Sequence, residues 1–170
     1  ATWANGDIIS DTANAANTPF FGTVTGNVQL GGLRYTAAAG SNVAIGAANT
    51  LGIDGTIIVA PSTLATNQSI TGGSLTGSAG GGTLGVQHNG TGTLTIGSTI
   101  VDNSGATGFA KSGGGTVRLT GTNSYTGGTT LSGGRLEVTQ LANGGAASSI
   151  GASNADASDP VIQNGTPAHT

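Results

Sequence analysis

Short apolar strands recur along this chain roughly every 8 to 12 residues, each closed by a glycine-containing turn, and this punctuation constrains the fold more than any single motif. The strand candidates are Gly22 to Thr25, Val28 to Thr36, Val43 to Ile45, Thr50 to Ile53, Thr56 to Val59 and Ser69 to Thr76. They continue with Thr83 to Gln87, Thr93 to Ile96, Thr99 to Val101, Thr116 to Thr120, Thr129 to Leu131 and Arg135 to Val138. In Thr93-Leu94-Thr95-Ile96 the residues alternate, so two side chains face in and two face out. No stretch has helical periodicity, and the chain reads as all-β.

The composition decides which all-β fold. About twelve strands in a β-sandwich would need large side chains between facing sheets, yet only Trp3, Phe20, Phe21, Tyr35, Phe109 and Tyr125 are aromatic. The core must be narrow. A parallel β-helix, a β-solenoid of Gly/Thr/Asn-rich rungs, meets this requirement: stacked rungs fill a slim interior with Val, Ile, Leu and Thr while Gly and Asn take the corners. A length of 170 residues fits one domain. Residues 1–140 read as rungs, 141–159 as a surface loop and 160–170 as an incomplete terminal strand. Val28-Gln29-Leu30-Gly31-Gly32 and Val161-Ile162-Gln163-Asn164-Gly165 share an order of apolar strand, turn and restart. Pro167 stands where the last strand should pair, so that strand is expected to be frayed or absent.

Charge and composition exclude several functions. Only 6% of residues are charged, but abundant Val, Ile and Thr and a mean hydropathy of +0.08 argue against disorder. With a net charge of −3 and Arg34, Lys111, Arg118 and Arg135 as the strong bases, the chain cannot neutralise a run of phosphates, so neither nucleic acid nor an anionic membrane surface is an expected partner. The longest apolar run, Ile57-Ile58-Val59-Ala60, suits one buried strand and falls far short of a membrane span of about 20 residues. The chain opens on Ala1 without a signal peptide and reads as a processed or excised piece. It has no cysteine, and its poverty in charge with richness in Thr, Asn and Gly favours an extracellular or cell-surface location.

The stretch Gly114 to Val138 carries the most specific pattern. A strand is followed by Gly121-Thr122-Asn123-Ser124-Tyr125-Thr126-Gly127-Gly128-Thr129-Thr130, a second strand, Gly133-Gly134 and a third strand. It resembles the autotransporter-associated β-strand repeat, over about 25 of the 170 residues. The resemblance implies a parallel β-helical passenger segment of a large bacterial surface protein, an adhesin among them, exported through a C-terminal outer-membrane β-barrel that this sequence does not contain. It brings no catalytic residues. On it, Gly121, Asn123, Tyr125, Gly127, Gly128, Thr129, Thr130, Gly133 and Gly134 form the structural repeat motif. From the residues alone, Val117, Leu119, Leu131, Leu136 and Val138 point inward, each contributing on the order of 1.5 to 3 kcal/mol. Thr116, Arg118, Thr120, Arg135 and Glu137 are left in solvent, Tyr125 is expected to cover the turn, and Asn123 to bond nearby backbone.

Other motifs have bland readings. Gly80-Gly81-Gly82-Thr83-Leu84-Gly85 fits G-x-G-x-x-G but continues as a strand instead of opening a helix, so it is a turn. His88 reads as a turn residue, and with His169 81 positions away and no cysteine it makes no metal site. Asp54-Gly55 reads as a hairpin-like turn. Asn67-Gln68-Ser69, Asn89-Gly90-Thr91 and Asn164-Gly165-Thr166 are formal glycosylation acceptors, idle in a bacterium. Of the acids Asp7, Asp11, Asp54, Asp102, Glu137, Asp156 and Asp159, only Asp102 with Glu137 could meet across rungs as a glycan-cleaving pair. Their spacing does not match calcium-binding nonapeptides. Thr23-Val24-Thr25 and Thr91 to Thr95 could build the threonine rows of an ice-binding surface, though outward threonine is common on strands.

The sequence therefore points to a structural or adhesive stalk with no enzymatic activity, cofactor or metal. Its expected partners are host or neighbouring cell surfaces, glycans, and copies of itself, because an uncapped β-helix exposes open strand edges at both ends. End-to-end stacking into an extracellular filament is the alternative reading.

Overall fold

The computed structural model describes residues 3, 5–10, 21–152, 161–162 and 165–169. Within them the backbone winds as one β-solenoid, and every strand pairs in parallel with the strand one turn away. Glycine and asparagine corners turn the chain after a few residues, so a strand meets its successor only after a full turn.

One side of the coil stacks β1 (Ile8–Ser10), β4 (Gly32–Tyr35), β6 (Thr56–Val59), β8 (Gly82–His88), β11 (Thr107–Ser112), β13 (Thr129–Leu131) and β15 (Val161–Ile162), in that order. A second side stacks β2 (Phe21–Val24), β5 (Asn42–Ile53), β7 (Gln68–Thr76), β9 (Thr93–Ile96), β12 (Thr116–Leu119), β14 (Gly134–Val138) and β16 (Gly165–His169). A shorter third side holds β3 (Val28–Leu30), the far halves of β5 and β7, and β10 (Thr99–Ile100). The interior is a set of vertical columns, of which Val43, Ile70, Ile96, Leu119 and Val138 form one on the second side. Val43, Ile70 and Leu119 are wholly buried, and Ile96 and Val138 nearly so. The turn shortens along this column, from 27 residues between Val43 and Ile70 to 19 between Leu119 and Val138. The third side loses its strand as the turn contracts.

Several sequence expectations need correcting. Val28 to Thr36 is two strands on different sides, broken at Gly31, whereas Val43 to Ile45 and Thr50 to Ile53 belong to one bent strand. Asp54-Gly55 makes no hairpin: it is a corner between β5 and β6, which pair with strands of neighbouring turns and not with each other. Val28 begins a third-side strand but Val161 a first-side strand, so those two segments occupy different phases of the coil. A terminal strand is present. β16 pairs with β14 over Gly165 to His169, with Pro167 opposite Leu136, and its edge position tolerates a residue without an N–H. Strands β1 and β11 are not among the candidates. The only helical feature among the described residues is a single 3-10 turn at Pro61–Thr63. Positions 153–159 of the expected loop lie outside the described residues, as do Asp11, Phe20, Asp156, Asp159, Asn164 and Thr170.

Candidate functional site

The repeat-bearing turn runs from β11 through β14. Because this turn carries no strand on the third side, Ile100 below it needs another partner for its N–H. Asn123 supplies one: its Oδ1 accepts from Ile100 N at 2.8 Å, while its Nδ2 donates to Ser149 O in the turn above at 2.7 Å. The Asn123 backbone exchanges a further pair of bonds with Ser148, at 2.8 and 3.1 Å. One buried amide thus splices two turns where a strand would otherwise stand.

Tyr125 is wholly buried. Its hydroxyl lies 2.6 Å from Thr129 Oγ1, and its ring sits 6.4 Å from that of Phe109. The chain from Ser148 to Ala152 closes over it, with Ala152 N donating to Tyr125 O at 2.8 Å. Gly151 is required there, since its φ is +83° and a Cβ would lie 2.7 Å from the Tyr125 ring. Gly121 and Gly127 mark close backbone approaches: a Cβ at either would come within 2.6 Å of a carbonyl oxygen of the turn below. Gly128 O accepts from Phe109 N at 2.9 Å, Thr129 is buried, and Thr130 faces outward beside Ala110.

Lys111 departs most from the sequence reading. It occupies the interior column of the first side, between Val86 and Leu131, and is wholly buried. Its Nζ donates to Ser112 O at 2.8 Å, Gly113 O at 2.7 Å and Gly133 O at 3.0 Å, which satisfies all three ammonium protons. Gly134, with φ +68°, opens the corner, since a Cβ there would sit 2.8 Å from Nζ. Burial lowers the ammonium to a pKa of about 8.

His88 is not a turn residue either. It ends β8, is wholly buried, and neither ring nitrogen has a well-aligned hydrogen-bond partner among the described residues. Burial, and then the neighbouring Lys111 ammonium, push the imidazole down to about 4 against a weaker opposing pull from the Gly90 and His88 backbone. The sequence signal for an inward Lys111 is parity. Phe109 and Lys111 lie two apart, so an inward Phe109 places Lys111 inward as well.

The carboxylates serve the scaffold. Asp102 Oδ1 accepts from Thr107 N at 2.8 Å and Thr126 N at 2.9 Å, and Oδ2 from Thr126 Oγ1 at 2.7 Å. Burial raises its pKa, but these bonds outweigh that and hold it below the usual aspartate value, the opposite of what a general acid needs. Glu137 is not solvated: its side chain, 9% exposed, lies on the second side between Arg118 Nε at 2.7 Å and Arg135 Nε at 3.1 Å. Asp102 and Glu137 thus have separate partners on different sides of the coil.

Threonine rows do not form. The column through Thr93 and Thr116 continues as Arg135, and that through Thr95 as Arg118 and Glu137. Gly80 and Gly81 form a turn leading into strand β8, as their sequence suggests. Asn67 Oδ1 accepts from Thr93 N at 2.9 Å, which makes it a corner amide. No group of three or more metal-ligating side chains occurs among the described residues.

Residues 109–138 match the passenger-associated-transport-repeat family. Over 165 residues, 97% of its length, the chain is 63% identical to a protein named Adhesin BmaC autotransporter, from Brucella suis biovar 1 (strain 1330). The chain spans 5% of that protein's length. No solved structure matches it.

Proposed function

We propose that this chain, which carries an autotransporter passenger repeat, is one segment of an adhesive β-solenoid stalk displayed at the bacterial surface or released from it. The observation that carries the reading is the continuous ladder. One column of register positions, Ile9, Leu33, Ile57, Val86, Lys111, Leu131 and Ile162, runs the length of the first side without a break. Such a coil gains length by adding turns, with each turn contacting only its neighbours. The adhesin that it resembles over nearly its whole length is about twenty times longer. The role is non-enzymatic: Asp102 and Glu137 are tied into the scaffold, and the buried Lys111 ammonium holds a corner. The repeat motif is structural, with Asn123, Tyr125 and the glycines allowing a short turn to stack on a longer one.

Deleting residues 21–138 from the full-length surface protein tests this reading. Cells displaying the shortened passenger should lose adhesion or project a measurably shorter stalk by electron microscopy, and unchanged adhesion with unchanged length contradicts it. Self-stacking rests on a separate observation. Among the described strands, β1 and β2 at one end and β15 and β16 at the other have one unpaired edge each. In negative stain across a concentration series, dispersed short rods support the stalk, and fibres that lengthen with concentration support the filament.

A further inference from the structure

We infer that the third side carries a binding cleft for neutral glycans; the inference rests on the adhesive reading and names a ligand class for it. The cleft, about 340 Å³, is lined by Asn5, Asn27, Gln29, Thr50, Asp102 and Asn103, with Val28 and Val101 as its apolar patches. Its polar groups are held before any ligand arrives. Gln29 Nε2 donates to Asp54 Oδ1 at 2.8 Å and to Gly77 O at 3.2 Å, and Asn103 Nδ2 donates to Gly77 O at 3.1 Å. Gly52 lets the Gln29 amide lie flat, because a Cβ there would overlap it. Asp102 is fixed by Thr107 and Thr126.

The remaining valences suit a polyol. Asn5 and Asn27 use Oδ1 on the ladder, accepting from Gln29 N at 3.0 Å and Thr50 N at 2.8 Å. Each keeps a side-chain NH2 with no hydrogen bond to the described residues, and Thr50 keeps its hydroxyl. Asp102, ionised at neutral pH, adds charged acceptor oxygens. Donors, a hydroxyl and a carboxylate side by side match the adjacent hydroxyls of a sugar, and Val28 and Val101 offer contact to its C–H face. Asp102 and the nearby Asp54 repel sulfated or uronate glycans, and no cation lines the cleft. The cleft crosses successive turns, which in a parallel coil lie roughly 4.8 Å apart, close to the rise of one sugar residue in an extended chain. Without an aromatic platform each cleft binds weakly, and a long passenger would gain strength by presenting several.

The test is a titration of the whole 170-residue chain, followed by NMR of the Asn and Gln side-chain amides. The probes are neutral tetrasaccharides of glucose, galactose, mannose and N-acetylglucosamine, with a sulfated tetrasaccharide as control. At least one neutral probe should shift the Asn5, Asn27 and Gln29 amides with a dissociation constant of about 1 mM. Thr50→Arg fills the cleft without removing a hydrogen bond seen here and should weaken binding about tenfold or more, while Thr130→Arg on the first side leaves it unchanged. The inference is overturned if no neutral probe at about 10 mM moves these amides, if only the sulfated probe does, or if Thr50→Arg binds as well as the parent while keeping its melting temperature. Adhesion of cells displaying Thr50→Arg keeps the two readings apart. Adhesion that persists without glycan binding removes the cleft and leaves the stalk.

Discussion

Two interior columns of the same coil solve the problem of stacking differently. On the second side Val43, Ile70, Ile96, Leu119 and Val138 are aliphatic from end to end, and burial alone accounts for their cohesion. On the first side the aliphatic column is interrupted by Lys111, with the ring of His88 close by, which has no well-aligned hydrogen-bond partner among the described residues. The contrast shows that the parallel ladder fixes where each residue sits, while chemistry fixes only whether its polar atoms find partners. Lys111 is tolerated because three carbonyls converge on its ammonium; His88 has no such set and carries its burial as a pH-dependent strain.

The aliphatic column should be the most sensitive to truncation. Leu119→Ala is expected to lower unfolding free energy by about 2 to 5 kcal/mol in urea titrations, since the close-packed turns above and below cannot collapse into the space. Next is the splice at Asn123. Asn123→Ala strands Ile100 N and Ser149 O together and should destabilise by about 2 to 4 kcal/mol. Asn123→Asp keeps the acceptor for Ile100 N but turns a carboxylate oxygen towards Ser149 O, and should also destabilise.

The polar column should respond to pH where the aliphatic one does not. The folded imidazole titrates near 4 against an ordinary value of 6.5, so its contribution is complete above pH 6.5 and is lost as pH falls towards 4. Stability should drop by on the order of 3 kcal/mol across that window, and His88→Leu should flatten the drop. Lys111 acts in a second window. Its folded value of about 8 lies below the ordinary 10.5, so stability should climb from pH 8 to 10.5, and Lys111→Met should abolish the climb. The smallest effect belongs to the outer face. Arg118→Ala removes a half-exposed pair with Glu137 and should cost less than about 1 kcal/mol, less still at high salt.

Much of the architecture was legible because it depends on punctuation. Thr56 to Val59, Thr93 to Ile96 and Thr129 to Leu131 are read with the bounds the strands have, since each is a short β-branched or apolar run between corners. β11 was not legible. Thr107-Gly108-Phe109-Ala110-Lys111-Ser112 mixes residues depleted from strands and turns its lysine inward, against the rule that polar side chains face water. β16 was hidden by Pro167, whose edge position becomes visible only once the sheet order is known. The roles of Asn123 and Glu137 depend on cross-turn partners 19 to 26 residues away in sequence, at a distance set by the length of each turn and written in no local pattern.

The register of successive turns is the central claim, and a chain without cysteine makes it directly measurable. Thr95 and Arg118 are paired across adjacent strands, whereas Thr95 and Glu137 are two turns apart. Adjacent positions should lie roughly 4.8 Å apart, within reach of a disulfide, and those two turns apart roughly 10 Å, beyond it. Oxidation of the Thr95→Cys/Arg118→Cys variant should close a disulfide nearly quantitatively, while Thr95→Cys/Glu137→Cys stays reduced within one molecule. A bond in the second variant and none in the first would contradict the stacked parallel coil.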